Sequence, residues 1–389
     1  MSRPPPLVFI FAVTLTGILN NTLVSPAIPD ILDEFDVDPS GAGLLVAAGS
    51  VAGIVMALVV GVLADRYGRR IVLTSCLGVF GAAGILAALA PTFEFLVGAR
   101  FLMGFGSAGL VNLAIVLVGD HWTGRDRTKI VGRNAAVLTV GLAVVPLVSG
   151  AVTQFAGWRV TFSLYTIGLV MAVVTWTILD GRRPETPVHV RDQLKGVVHI
   201  AREPAVGAAV VMGILIFVLI FGGFLTVFPL HLDQEFGMEA AARGLMIGLP
   251  ALGSTVIAFN LAKLRRYLST RTLALLSAAL YVVAFLTIGL APALLMVGVG
   301  VIVFGVSEGM IVPALQDLAM EVSTDSDRGS VMALWVAGAR LGQVIGPVLA
   351  GLALAVMSTG AALAATAGVA VLVMLMAWFG SLPASDQQT

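Results

Sequence analysis

The chain has 389 residues, 58% of them hydrophobic and 11% charged, and its formal net charge is zero. A mean hydropathy of +1.02 excludes a soluble globular domain of this length, and the balanced charge argues against nucleic acid as a partner. The single cysteine, Cys76, excludes an internal disulfide.

A bilayer span takes about 20 apolar residues, so the length suits about a dozen spans with short connectors and no soluble domain. Apolar windows predict helices over 7–28, 41–64, 71–90, 94–118, 130–155 and 160–179. A second set falls over 205–230, 243–262, 272–291, 293–318, 330–356 and 360–380. The expected fold is an all-α membrane protein of twelve transmembrane helices in two sets of six. Arg3 followed by the apolar run from Leu7 imitates a signal peptide, but no small-residue cleavage site follows, so this run is read as an uncleaved first span.

Of the 22 Lys and Arg residues, all but Arg100, Arg159, Arg243 and Arg340 fall at the N-terminus or in alternate connectors. The positive-inside bias makes those connectors, and both termini, cytoplasmic. The first connector on the opposite side, Asp30 to Asp38, has five acids and no base. A polar stretch near the middle divides the chain into a first bundle (1–180), a cytoplasmic linker (181–204) and a second bundle (205–389). The halves are related: a shift of 201 residues places Asp126-Arg127 on Asp327-Arg328, Gly141 on Gly342, Pro146 on Pro347 and Gly150 on Gly351.

No His, Cys and Asp spacing suits a metal, no loop suits a phosphate, and His121, His189, His199 and His231 lie at connectors or span ends with no nucleophile beside them. The reading is therefore not an enzyme, with no metal and no cofactor. Function is sought in polar, charged, Gly and Pro residues inside spans, where ionisable groups are costly.

Along the chain, the first span carries Asn20, Asn21 and Thr22, then Pro26 and Pro29 before Asp30. Gly61 to Arg70 comes next, reading Gly-Val-Leu-Ala-Asp-Arg-Tyr-Gly-Arg-Arg. Gly61 leaves room for close helix approach, Asp65 stands among Arg66, Arg69 and Arg70, and Gly68 lets the backbone turn. This decapeptide resembles the signature loop between helices 2 and 3 of the major facilitator superfamily, with every position filled. The resemblance implies two parallel six-helix repeats with a substrate site at the midplane. It also implies that Asp65 faces the start of helix 11 near Gly329, that Arg69 reaches Asp120, and that these contacts lock one conformer. In the second half the loop has decayed to Lys263-Leu-Arg-Arg-Tyr.

Arg100, followed by Gly104, resembles the family's Arg-x-x-x-Gly motif in helix 4, with Asn112 on the same span as a further candidate contact. Arg100 either modulates a protonatable group or snorkels to the outer interface. Helix 5 carries Gly132, Gly141, Pro146 and Gly150 at the spacing of the family's antiporter motif, with Val145 and Ser149 replacing two glycines. Small residues on one face and a proline there suit a tight gate. Helix 7 places Phe217, Phe221, Phe224 and Phe228 at intervals that form one α-helical face, either lining an apolar cavity or facing lipid. Glu308 and Arg340 are the acid and base set well inside second-half spans, near the same depth by the helical rise. They are candidates for proton coupling, a fixed ion pair, or an anion-binding arginine with a separate carboxyl.

Together these features are similar to the drug:proton antiporter branch. The expectation is proton-coupled export of a small lipophilic molecule by a monomer in the cell membrane, with the proton gradient as driving force and lipid and substrate as partners. Uptake of a sugar, nucleoside or organic anion by symport or uniport is the alternative, and a transporter-like receptor a third.

Overall fold

The computed structural model describes residues 4–181, 203–321 and 328–379. Among them there are helices and turns and no strand. We number twelve helices. In the first half they are α1 (Leu7–Glu34), α2 (Gly41–Tyr67), α3 (Arg69–Ala88), α4 (Phe93–His121), α5 (Gly124–Ala156) and α6 (Trp158–Ile178). In the second half they are α7 (Val206–Phe236), α8 (Ala240–Tyr267), α9 (Thr270–Gly289), α10 (Leu294–Glu321), α11 (Arg328–Leu354) and α12 (Thr359–Phe379). Eleven are long and apolar enough to cross a membrane, and α2 makes the twelfth when its segments Gly41–Ile54 and Val59–Tyr67, bent by 45°, count as one span.

Helix ends follow local chemistry. Thr92 caps α4 by accepting from the Phe95 amide at 3.3 Å, and Ser269 caps α9 by accepting from Thr272 at 3.2 Å. The α2–α3 and α5–α6 turns are single glycines, Gly68 at φ 92° and Gly157 at φ 87°, a backbone region closed to most side chains. The α5 helix starts earlier than its apolar window because Arg125 to Arg133 continue it beyond the hydrophobic stretch.

The chain divides into two compact units. One holds α1 to α6 together with Glu239–Leu245 from the start of α8, and the other holds α7, the rest of α8, and α9 to α12. Each unit packs through small residues, as expected where lipid supplies no hydrophobic drive between helices. In the first unit, a Cβ on Gly81 would sit 2.6 Å from the Leu169 amide, so α3 and α6 touch backbone to backbone. In the second, Gly342 and Gly346 of α11 lie against the α7 backbone, where a Cβ would meet Ile214 O at 2.4 Å and Val218 O at 2.8 Å.

The α7 helix departs from the expected regular spacing. Over Leu219–Val227 it is a π-helix, and the Thr226 hydroxyl donates to Phe221 O at 2.7 Å, five residues back. The wider turn rotates the later residues of the helix, so the four phenylalanines do not share one face. Phe217 and Phe221 are half-buried with ring centroids 6.2 Å apart, whereas Phe224 and Phe228 are buried in the core.

Candidate functional site

Arg100 is fully buried on α4. Its Nη1 donates to the Asn20 carbonyl at 2.5 Å and to Asn20 Oδ1 at 3.0 Å, Nη2 donates to Asn21 Oδ1 at 3.0 Å, and Nε to Leu45 O at 3.4 Å. Every one of these acceptors is neutral. The Asn20 amide in turn donates to Gly49 O at 2.8 Å, and Tyr165 Oη donates toward Leu19 O and Asn20 O at 3.2 and 3.3 Å. A guanidinium inside a span costs about 2.5 to 3.5 kcal/mol at the helix centre, and here backbone and amide oxygens offset that cost. The side chain points inward and ties α1, α2 and α4 together, so the snorkelling alternative does not hold. Gly49 makes room for it, since a Cβ there would lie 2.7 Å from Nη2. Asn112 is half-buried on α4.

At the α2–α3 turn, Arg69 donates from Nε to Asp120 Oδ2 at 3.2 Å, the contact the signature loop implies, and from Nη1 to Asp65 Oδ1 at 2.5 Å, which the loop does not signal. Arg70 stacks on the Trp176 ring with its guanidinium carbon 3.9 Å from the centroid, and Arg66 lies 5.5 Å from the centroid of Tyr67. The expected approach of Asp65 to Gly329 falls on side chains outside those described. Gly61 differs from expectation: among the described residues, no atom would lie within 4 Å of a Cβ there, so no described contact uses its smallness. Gly132 likewise has no neighbour within that distance among the described residues.

The remaining α5 motif residues are packed. A Cβ on Gly141 would meet Ile18 Cδ1 at 2.5 Å and Leu15 Cδ2 at 2.6 Å on α1, and one on Gly150 would meet Ala240 O at 2.2 Å. Pro146 sits inside the helix, and buried Ser149, in place of a glycine, donates to Leu23 O on α1. Asp30 accepts from Arg243 Nη2, and Arg243 Nε donates to Pro26 O at 3.1 Å. Gln154 holds the same segment by donating to Glu239 and accepting from the Ala241 amide at 3.1 Å.

In the second unit, Glu308 sits on α10 one turn beyond Phe304. Its neighbours fix α10 on two sides. Ser307 and Ser277 exchange hydrogen bonds that lock α10 to α9, their hydroxyls 2.8 Å apart, and Gly305 and Gly309 press against the α8 backbone at Pro250 and Ser254. Phe304 stacks on Phe224 at 4.3 Å and meets Tyr281 edge-on at 5.2 Å. Glu308 itself is half-buried, and it takes part in none of the ion pairs among the described residues. Arg340 does not pair with it there; its Nη1 donates to Gln343 Oε1 at 3.2 Å. Among the described residues, no group of three or more His, Cys, Asp and Glu could hold a metal ion.

The family model described as Major Facilitator Superfamily matches residues 10–326 and 244–389. The chain belongs to this superfamily. An MFS-type transporter of Metarhizium majus (strain ARSEF 297), ppz2, is 30% identical over 207 residues, which cover 52% of this chain and 34% of that protein. The lincomycin resistance protein of Streptomyces lincolnensis is 35% identical over 206 residues, 52% of this chain and 42% of its own. The chain thus spans about a third to two fifths of the length of these relatives. A crystal structure of a bacterial homolog to the human lysosomal transporter Spinster, inward-facing and occupied, superposes with a TM-score of 0.81 at 16% identity, covering 97% of each chain, and shares the fold.

Within this superfamily chain, several polar residues at the sites escape sequence reading. Arg243 looks like a connector base but is 2% exposed. Asn134 accepts from the Thr14 hydroxyl at 2.8 Å, joining α5 to α1 in the core. Tyr165 has no sequence signal beyond being a tyrosine in a span. Asn134 is signalled by an amide inside the fifth apolar window, and Arg243 by an isolated base at the start of the eighth.

Proposed function

We propose that the chain is a secondary transporter that exports a small lipophilic or drug-like molecule in exchange for protons, as a monomer in the cell membrane with both termini cytoplasmic. Membership of a transporter superfamily supports transport, the likeness to a lincomycin resistance protein supports export of a toxic small molecule, and the alternating basic connectors support the orientation. The observation that carries proton coupling is Glu308. It is the acid with a described side chain set well inside a span, it is half-buried, and no ion pair among the described residues holds it charged. A carboxyl so placed takes up a proton where the cavity excludes water and releases it where water returns.

The test is flux in proteoliposomes under an imposed pH gradient. Wild type accumulates or expels solute with the gradient, whereas Glu308→Gln loses gradient-driven net transport while keeping its abundance and solute exchange. Unchanged gradient-driven flux in Glu308→Gln moves the coupling role to Asp30 of α1 or to Asp317, nine residues further along α10. Direction is read separately: export raises drug tolerance when the protein is overexpressed in a susceptible host, and uptake by symport or uniport lowers it.

A further inference from the structure

A cavity of about 520 Å³ lies on α2, α3 and α4, walled by Val60, Tyr67, Ile71, Val79, Leu102 and Phe105 with Cys76 beneath. It contains none of the residues of the Arg100 cluster and none of the ion-paired carboxylates. Tyr67, Ile71, Val79 and Leu102 are each between 41% and 44% exposed, so the cavity is a groove open along one side. On a membrane-spanning helix an open apolar groove of this kind suits a hydrocarbon chain.

One end of the groove is charged. Tyr67 lines it, and the exposed Arg66 guanidinium rests 5.5 Å from that ring's centroid. Arg66 belongs to no ion pair among the described residues. Its neighbours are engaged elsewhere: Arg69 by Asp65 and Asp120, and Arg70 by the Trp176 ring. From Ile71 to Val79 the wall runs about 12 Å at 1.5 Å per residue, a length that takes up a large part of one extended acyl chain. Apolar length ending in an outward guanidinium complements a fatty chain carrying a phosphodiester. It disfavours a lipophilic cation, which Arg66 repels, and leaves the headgroup of a zwitterionic lipid less strongly held.

We propose that this groove binds one acyl chain of an anionic phospholipid, with the phosphate on Arg66. Occupancy would fill the space beside the bend in α2 and brace the α2–α3 turn through Arg66, so that lipid composition bears on the segment carrying Asp65.

The test uses the purified full chain in nanodiscs containing phosphatidylglycerol with a diazirine in its acyl chain, followed by peptide mapping of the photoadducts. Adducts are expected on Ile71 to Val79 and on Leu102 to Phe105, competed several-fold by unlabelled phosphatidylglycerol and little by phosphatidylcholine. Arg66→Gln, at an exposed site, lowers the yield in the groove several-fold without changing adducts elsewhere, Arg66→Lys keeps most of it, and Val79→Trp removes it by filling the space. Equal yields from phosphatidylcholine and phosphatidylglycerol probes, or a yield unmoved by Arg66→Gln, overturn the proposal. Suppression of the adducts by tetraphenylphosphonium in phosphatidylcholine discs overturns it in favour of a site for lipophilic cations.

Discussion

Arg69 joins Asp65 and Asp120 at once, at 2.5 and 3.2 Å, and so ties the end of α2 to the end of α4 across the first residue of α3. The three side chains are between 19% and 40% exposed, and partly exposed pairs of this kind contribute about 0.2 to 1 kcal/mol each. Their loss should therefore leave the protein folded. Asp65→Asn and Asp120→Asn are expected to keep near wild-type abundance yet lower transport, Asp65→Asn by more because it meets Arg69 at the shorter distance. Flux normalised to membrane abundance decides it. Wild-type flux in both variants would reduce the cluster to a marker of topology.

Gly61 gives the opposite expectation. With no atom of the described residues within 4 Å of a Cβ built there, Gly61→Ala should not disturb this conformer and should leave thermal stability in detergent unchanged. A loss of flux without a loss of stability would show that the glycine is needed in another conformer of the cycle.

Arg100 offers a sharper test. Lysine cannot reach Leu45 O, Asn20 and Asn21 together, and each buried acceptor left without a donor costs about 1 to 3 kcal/mol. Arg100→Lys should lower abundance and melting temperature, and Gly49→Ala should do the same more mildly, because its methyl would press on Nη2 at 2.7 Å and on Asn20 Nδ2 at 3.2 Å. Melting temperatures in detergent check both. An unaltered melt for Arg100→Lys would mean that the network is not what holds α1 against α4.

Hydropathy alone shows the twelve helices, because each must be apolar for about the thickness of a bilayer, and the Arg69–Asp120 contact follows from a loop whose motif is complete. Contacts that depend on distant partners are not legible. Nothing around Asp30 names Arg243, and nothing around Arg100 names Asn20 and Asn21 as its acceptors. The phenylalanine stripe misleads because its spacing presumes α-helical rotation, whereas the π-turn over Leu219–Val227 shifts the phase midway; the adjacent Gly222 and Gly223 are the only local hint. Glycines in one motif look alike on paper, yet among the described residues Gly132 has no neighbour within 4 Å while Gly150 touches backbone.

That contrast orders the α5 variants. Gly132→Ala should be neutral. Gly141→Ala meets the flexible ends of Leu15 and Ile18, which can move aside, and should cost little. Gly150→Ala drives a methyl to 2.2 Å from Ala240 O, and backbone cannot yield without shifting a helix. Flux should fall in that order, measured at matched abundance. Equal flux across the series would show that tight packing along α5 does not limit exchange.

The two pairs on α7 separate a packed core from a half-buried face. Phe224 is 3% exposed and stacks on Phe304 at 4.3 Å and on Phe228 at 4.9 Å, so Phe224→Ala removes a packed ring. In soluble cores that change costs about 3 to 5 kcal/mol, and here a lower melting temperature with reduced abundance is expected whatever the substrate. Phe221 is half-buried, with Phe217 as its ring neighbour at 6.2 Å. Phe221→Ala should therefore melt close to wild type and, where Phe221 lines a binding cavity, change the relative transport of bulky and small lipophilic compounds. Melting curves and competition by a graded series of aromatic compounds are measured on both variants. If Phe224→Ala melts like wild type while Phe221→Ala unfolds, the phase assigned to the π-turn is inverted; if neither changes the competition profile, the stripe has no part in choosing substrate.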